Sequence, residues 1–363
     1  MNSSSKVVIG YASIWTPIDF SKIPANKLTH IIYSFLNINS DGTLIFGDAG
    51  CNSCCATTFL NQLLEIKNNN KHLKIQISIG GASWASSFMP VVSSDAKRSV
   101  LVNAISNLLS TYSLDGVDID WEFPGSGQGS QFVQLVKDLR NKLGSQYQLT
   151  CAIPSSPSNL ANFNLKDANQ YFDWFNVMAY DASIGTNIAT HHAPLYHNPS
   201  DPVEDASGDT AVKTLISYGI STNKIVLGVP LYGYQYSVNK NDNINYGLFQ
   251  KILCTKNCDV PVANKVITTQ NKGTRYFDNI AKAPWLYDSG SGAFTTFEDI
   301  SSVQNKINYV NTQHLKGIMF WELGNDNLDS NSVVYSVFNN LNVSLPMDQN
   351  YTFVSLPIPG ISF

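Results

Sequence analysis

The chain has 363 residues, of which 43% are hydrophobic and 14% are charged, and 23 basic against 27 acidic side chains give a net charge of −4. This composition excludes a disordered chain and lacks the basic footprint of a nucleic-acid-binding protein. No apolar run reaches the roughly 18 to 20 residues that a bilayer requires, so a membrane span is excluded as well. A folded protein with one large core remains, and an α/β barrel with insertions can use the whole length.

Apolar, β-branched runs predict eight strands that alternate with helical patterns. The predicted strands are 6–11, 29–37, 73–80, 116–122, 148–153, 174–180, 224–232 and 315–321. The predicted helices are 58–67, 96–112, 131–143, 210–218 and 299–312. Strands separated by helices pair in parallel, and eight such units predict an α/β fold of the closed (β/α)8 TIM barrel type. An open doubly wound sheet is the alternative, but no glycine-rich phosphate turn follows the first strand.

The gap between the seventh and eighth predicted strands is too long for one helix. Tyrosine, asparagine and lysine are frequent in it, and it carries two of the six cysteines. We therefore expect a small α+β insertion lobe at 235–285, with the catalytic barrel formed by 1–234 and 286–342. The remaining segment, 343–363, contains three prolines and is expected to be an extended tail.

The six cysteines fall into two loop clusters and one apolar run: Cys51, Cys54 and Cys55; Cys254 and Cys258; and Cys151. Local disulfides in the two loops, with Cys151 as a buried thiol, are favoured over zinc, because no histidine completes a convincing ligand set. Disulfides would place the protein outside the cytosol, as a secreted protein. No apolar leader precedes Val7, so the protein is either cytosolic or has lost a signal segment.

The most informative stretch is Asp115-Gly116-Val117-Asp118-Ile119-Asp120-Trp121-Glu122. Side chains alternate along a strand, so its apolar residues share one face and Asp118, Asp120 and Glu122 share the other. In a barrel the apolar row faces the helices, which leaves the acids in the lumen. Three stacked carboxyls repel one another and lose hydration, so at least one is predicted to hold a proton near neutral pH.

Glu122 ends this row, at the C-terminal end of a barrel strand, where barrel enzymes carry out their chemistry. A carboxyl that keeps its proton is suited to general acid catalysis. A divalent metal site built from the three acids is the alternative, and proton transfer is preferred to it. Asp115 falls on the opposite face of the strand, with the apolar residues, and is interpreted as a structural hydrogen-bonding residue.

The acidic stretch resembles the signature of glycoside hydrolase family 18, the chitinases and their relatives. Matches to the family's other barrel strands cover nearly the whole chain: Tyr11 with Trp15, the run 29–35, Ser78-Ile79-Gly80-Gly81, Met178-Ala179-Tyr180-Asp181, the run 228–233 and the run 317–321. The resemblance implies a monomeric TIM-barrel enzyme that hydrolyses β-1,4-linked N-acetylglucosamine in chitin or chitooligosaccharides. It further implies substrate-assisted retention, in which neither a metal nor a cofactor takes part.

The resemblance also implies catalytic roles for four residues. Glu122 would protonate the leaving oxygen and then deprotonate the attacking water. Asp120 would orient the acetamido N–H of the substrate and offset its developing positive charge, and Asp118 would set the protonation of Asp120 from behind. Tyr180 would hold the acetamido carbonyl from the opposite side.

The implied substrate-binding residues are Tyr11, Phe35, Trp84, Met178, Asp181, Tyr232 and Trp321. Trp321 ends a barrel strand, where an indole suits the apolar face of a pyranose ring, whereas Trp121 and Trp174 are expected in the core. Stacking on sugar and packing against protein remain equal alternatives for Trp84. By resemblance, cis peptide bonds are expected at Trp321–Glu322 and Ser34–Phe35.

The sequence departs from the family pattern at two positions. Tyr234 stands where many members have arginine, and Ala82 and Ser83 separate the glycine pair from Trp84. Both departures fall at expected distal sugar contacts, so they leave the chain-length preference open. Two other functions share the acidic stretch, namely an endo-β-N-acetylglucosaminidase of N-linked glycans and an inactive chitin-binding lectin, although such lectins typically lack the final acid.

Overall fold

The structure is a computed structural model that describes residues 6–47, 51–242, 244–254, 258–270, 272–329, 332–338 and 341. Eight parallel strands form its centre: β1 Val7–Ser13, β2 His30–Ile38, β3 Lys74–Gly80, β4 Gly116–Asp120, β5 Gln148–Pro154, β6 Trp174–Met178, β7 Ile225–Pro230 and β8 Gly317–Trp321. Each strand pairs with its neighbour in this order, and β1 also pairs with β8. The predicted TIM barrel is thereby confirmed.

Helices cover the outside of the barrel: Ser53–Asn69, Ala85–Val92, Asp95–Thr111, Gly129–Leu143, Pro157–Leu160, Leu165–Ala168, Gly208–Ser217, Ile300–Thr312 and Val333–Phe338. Several begin at a side chain that accepts a backbone N–H of the first turn, as Ser94, Ser207 and Asp299 do. The helix predicted at 58–67 begins earlier because Asn52 caps it in this way.

The two faces of β4 separate two hydrophobic clusters, as the alternation of its side chains predicts. Val117, Ile119 and Trp121 pack in the layer between barrel and helices, where the Trp121 ring stacks on Phe88 at 4.9 Å. Tyr11 belongs to the other cluster, which occupies the lumen and continues into the segment between β7 and β8. The acidic row therefore faces the lumen, because the apolar row has taken the outer face.

A five-stranded antiparallel sheet with one helix, Asn264–Gln270, is inserted between β7 and β8. Its strands are Tyr232–Ser237, Pro261–Ala263, Thr274–Asp278, Ala283–Asp288 and Ala293–Thr296. The sheet begins before 235 and ends after 285, because its last strand pairs with its first and returns the chain to the barrel. The predicted tail at 343–363 lies outside the described residues.

Two disulfides join cysteines four residues apart, Cys51 to Cys55 and Cys254 to Cys258. The predicted local disulfides are thus confirmed, and Cys151 is a buried thiol as expected, while Cys54 is an exposed thiol. None of the helices in the described ranges combines the length and the apolar character needed to cross a membrane.

Candidate active site

The strands end at a cavity of about 170 Å³ at the C-terminal mouth of the barrel. Its lining comprises Tyr11, Trp15, Phe35, Gly80, Gly81, Ala82, Ser83, Trp84, Asp120, Glu122, Ala152, Met178, Tyr180, Asp181, Tyr232, Met319 and Trp321. Every site residue predicted from the sequence is among them except Asp118. Barrel closure therefore brings together residues that are dispersed along the chain.

Asp118 lies in the lumen beneath the cavity and is completely buried. Four side chains donate hydrogen bonds to its carboxylate: Tyr11 Oη at 3.0 Å, Ser78 Oγ at 2.9 Å, Thr150 Oγ1 at 2.6 Å and Asn176 Nδ2 at 3.2 Å. Burial raises the pKa of this carboxyl, and the hydrogen bonds offset part of that rise. The donors hold Asp118 in one orientation under Asp120.

Asp120 ends β4 and is 3% exposed. Its Oδ1 atom is buried and has no hydrogen-bond partner within the part of the chain that the structure describes. Burial, followed by the charges of Glu122 and Asp118, raises the pKa of this carboxyl well above its ordinary value. The cavity thus contains a buried carboxyl oxygen that no described protein group satisfies, which suits it to a ligand donor.

Glu122 follows the end of β4 by two residues, one position beyond Trp121. Burial, reinforced by the charge of Asp181, raises the pKa of Glu122 from its ordinary value of 4.5 to about 7. A carboxyl with this pKa exchanges its proton readily at neutral pH, as general acid–base catalysis requires. The predicted proton-holding acid of the row therefore lies at the cavity.

A glycine allows β3 to approach β4 beside these acids. Gly80 has a φ of +115°, and a Cβ added there would lie 2.2 Å from the backbone oxygen of Asp120. The next residue, Gly81, donates its N–H to that same oxygen at 2.8 Å. A side chain at position 80 would therefore displace the strand that carries Asp120.

Asp181 lies across the cavity, after the end of β6. Its Oδ1 atom accepts hydrogen bonds from Tyr232 Oη at 2.6 Å and Tyr234 Oη at 2.9 Å, and His192 Nδ1 lies 3.7 Å away. Sequence reasoning treated Tyr234 only as a departure from the family pattern and missed this contact. Burial raises the pKa of the neighbouring Tyr180 well above its ordinary value, which keeps its hydroxyl neutral.

Aromatic rings form one side of the cavity. Trp321 stacks on Phe35 with ring centroids 5.5 Å apart and an interplanar angle of 17°, and it meets the edge of Tyr11 at 5.6 Å. Trp15 extends this surface, 5.8 Å from Phe35 and 6.3 Å from Trp321, and it is 42% exposed. Trp15 was not among the predicted binding residues, although its position two residues beyond β1 is a signal for the barrel mouth.

Three non-proline cis peptide bonds lie at this end of the barrel: Ser34–Phe35, Glu122–Phe123 and Trp321–Glu322. Two of them were expected from the resemblance, and the bond after Glu122 was not. Trp84 is half-buried in the lining, and its Nε1 atom is buried without a hydrogen-bond partner among the described residues. The same described ranges hold no group of three or more histidine, cysteine or acidic side chains arranged to bind a metal ion.

Comparisons with known proteins agree with this geometry. The pattern of the family described as "Glycosyl hydrolases family 18" matches residues 7–326. Chitinase 1 of Aphanocladium album is 28% identical in sequence, over an alignment that covers 94% of this chain and 85% of the relative. The solved structure of a chitinase of Bacillus thuringiensis superimposes with a TM-score of 0.85 and 25% sequence identity. The match covers 95% of this chain and 71% of that protein. The solved structure of a family 18 N-acetylglucosaminidase of Paenibacillus barengoltzii has a TM-score of 0.80 and 28% sequence identity. This match covers 93% of this chain and 100% of that protein.

Proposed function

We propose that this glycoside hydrolase is a chitinase that cleaves the β-1,4 bonds of N-acetylglucosamine polymers, because the chain belongs to glycosyl hydrolases family 18. One observation carries the proposal above the others. Asp118 and Asp120 are buried, and the row that they begin ends at the cavity in Glu122, whose pKa is about 7. Such a group is protonated often enough to act first as an acid and then as a base.

The proposed reaction keeps the anomeric configuration through two displacements. Protonated Glu122 gives its proton to the glycosidic oxygen while the acetamido oxygen of the same sugar attacks the anomeric carbon. The bond to the leaving sugar breaks, and a cyclic oxazolinium ion forms. The Glu122 carboxylate then takes a proton from water as that water attacks the anomeric carbon and opens the ring, which restores the acid.

Asp120 is proposed to act on the acetamido group during this attack. Its unsatisfied Oδ1 would accept the acetamido N–H. Because the charge of Glu122 helps to raise the pKa of Asp120, a protonated Glu122 favours the ionised form of Asp120. The resulting negative charge would offset the charge that develops on the oxazolinium ion. Asp118, held by four donors, would keep Asp120 in place from below. The neutral hydroxyl of Tyr180 would donate to the acetamido oxygen.

The pH profile tests the role of Glu122 as an acid. Activity is expected to fall as the pH rises through about 7, because the ionised carboxyl has no proton to donate. Replacing Asp181 by asparagine keeps an acceptor for both tyrosines but removes a charge that raises the pKa of Glu122. The alkaline limb of the kcat/KM profile, which reports pKa values of the free enzyme, should therefore move to lower pH.

An Asp41→Asn variant controls for the charge change itself, since that carboxylate lies in an exposed turn. Its alkaline limb should coincide with that of the parent. An unshifted limb in Asp181→Asn would contradict the proposed electrostatic link between Asp181 and Glu122.

The indole of Trp321 is expected to bind a sugar ring. Its truncation to alanine should raise the Kd for a chitooligosaccharide about tenfold, which corresponds to ~1.4 kcal/mol. Calorimetric titration measures this, and Trp285→Phe in the inserted sheet, outside the cavity lining, serves as the control. An unchanged Kd in Trp321→Ala would show that the ring serves only packing.

Product analysis on an N-acetylglucosamine hexamer, beside a high-mannose glycoprotein, separates the candidate activities. A chitinase is expected to release short oligomers from the hexamer and to leave the glycoprotein intact. Release of the glycan from the glycoprotein would favour the endo-β-N-acetylglucosaminidase. Release of single sugars from the hexamer would favour an N-acetylglucosaminidase, and binding of the hexamer without cleavage would favour a lectin. The two disulfides support a secreted enzyme, and a monomer remains the prediction for its assembly.

A further inference from the structure

We propose that Glu322 is a positioning residue that ties the loop after β1 to the end of β8, so that Trp15 and Trp321 form one sugar-binding surface. The inference rests on the proposed function and assigns a role to a buried acid outside the acidic row. Glu322 directly follows Trp321 and is 3% exposed. It does not line the cavity, so it acts on substrate only through its neighbours.

Both carboxyl oxygens of Glu322 are used by the loop after β1. Oε2 accepts the backbone N–H of Ser13 at 3.1 Å, and Oε1 accepts the hydroxyl of Thr16. These two donors flank Trp15 closely in sequence. One carboxyl therefore fixes the backbone before the indole and the side chain after it.

Packing beside this carboxyl holds the same two segments together. A Cβ added to Gly10 would lie 2.7 Å from the Leu323 side chain, and one added to Gly324 would lie 2.6 Å from Thr16 Cγ2. The chain after Trp321 thus lies against β1 and its loop with no room for larger residues. Lys265 anchors it from the inserted lobe by donating to the Gly324 oxygen at 2.6 Å.

Trp15 needs such support because few neighbouring groups hold its side chain in place. The residue is 42% exposed, and the rings of Phe35 and Trp321 are its aromatic neighbours. An exposed side chain that is ordered before binding spares the complex the entropy cost of ordering it, about 0.5–1.5 kcal/mol per immobilised side chain. Burying a carboxyl is unfavourable unless hydrogen bonds compensate it, and both compensating bonds here go to the Trp15 loop.

The test measures the Kd for chitohexaose in a Glu122→Gln background, where turnover cannot consume the ligand. Glu322→Gln keeps an oxygen for the N–H of Ser13 but offers Thr16 an amide N–H in place of a charged acceptor, which weakens the tie to the loop. Its Kd should rise about fivefold. Thr16→Val removes a single hydrogen bond without touching the acid, and its Kd should rise about twofold. In the active background, KM should rise with Kd while kcat changes less than about twofold.

Asp326→Asn is the matched control. This carboxyl is also buried and lies four residues further along, but it accepts hydrogen bonds from Ser332, Val333 and Val334 instead of the Trp15 loop. Its loss should lower thermal stability and leave the Kd unchanged. An equal rise of Kd in Asp326→Asn would overturn the inference, because it would reveal a general effect of weakening this segment.

A double-mutant cycle with Trp15→Ala identifies the route. If Glu322 acts through Trp15, Glu322→Gln should change the Kd by less than about 1.5-fold once the indole is absent. An equal change in both backgrounds, or no change in either, overturns the inference while leaving the proposed chitinase intact. Failure of the Glu122→Gln parent to bind chitohexaose would overturn the proposed function and this inference with it.

Discussion

Replacing Glu122 by glutamine is expected to lower kcat on chitohexaose by about 10²–10⁴-fold or more and to leave its affinity within about threefold. The amide has nearly the same shape as the carboxyl, so the cavity keeps its form. It has no proton to give to the glycosidic oxygen and cannot deprotonate water. Oligomer release measured beside calorimetric binding separates the two effects, and near-parental hydrolysis would refute the acid–base assignment.

Thermal unfolding adds a measurement that excludes misfolding as the cause of the lower kcat in Glu122→Gln. The pKa of Glu122 is about 7 in the fold and 4.5 ordinarily, so ionising this carboxyl disfavours the folded state as pH rises between these values. Glutamine does not ionise. The variant should therefore gain stability relative to the parent between pH 4.5 and 7, and the gain should be complete above pH 7.

Glu298→Gln is the control for loss of a carboxyl charge, since Glu298 is fully buried whereas Glu122 is only partly buried. Its carboxylate binds Lys306 Nζ at 2.7 Å and Ser302 Oγ at 2.8 Å, away from the cavity lining. Glutamine leaves the buried Lys306 ammonium group hydrogen-bonded but without a counter-charge, which is destabilising. We expect a lower melting temperature and a kcat within about threefold of the parent.

Asp120→Asn is expected to lower kcat by about 10²–10³-fold, with a much smaller effect on Kd. Asparagine preserves the size of the side chain and an acceptor oxygen, but it removes the negative charge that would stabilise the oxazolinium ion. Because that positive charge develops only during the reaction, the loss should appear in kcat. Single-turnover hydrolysis of chitohexaose measures it, and a loss below about tenfold would contradict the role.

Asp115→Asn is the control from the same stretch. Its carboxylate accepts the backbone N–H of Ile75 at 2.7 Å and pairs with Lys67 and Lys74, at the opposite end of β4 from the cavity. These contacts fit the structural role inferred from its parity. The variant should lose stability and retain kcat, which would show that position in the strand, and not acidity alone, decides the effect.

The sequence could predict the barrel and its acidic row because both depend on short-range patterns. Alternation along 116–122 separates acids from apolar residues whatever the neighbouring strands are. It could not predict where each strand ends. The predicted strand 224–232 ends in the barrel at Pro230, and Tyr232 instead begins a strand of the inserted sheet. That division depends on a partner strand some sixty residues further along the chain.

The missed contacts of the site have a common cause. Tyr234 reaches Asp181 across 53 positions, and Glu322 reaches Thr16 across 306. Neither pair is marked by local periodicity. Trp15 carried a partial signal in its place after the first strand, but its contacts with Phe35 and Trp321 follow from the arrangement of three strands around the barrel mouth.

By itself the sequence determined the order of strands and helices, the face that each acid occupies and the acid that stands at the end of the row. These are properties of a few consecutive residues, set by backbone geometry and by the burial of apolar side chains. The tertiary structure decided which distant groups surround that acid. It thereby decided the pKa of Glu122, since burial and the charge of Asp181 act through space after the barrel has closed.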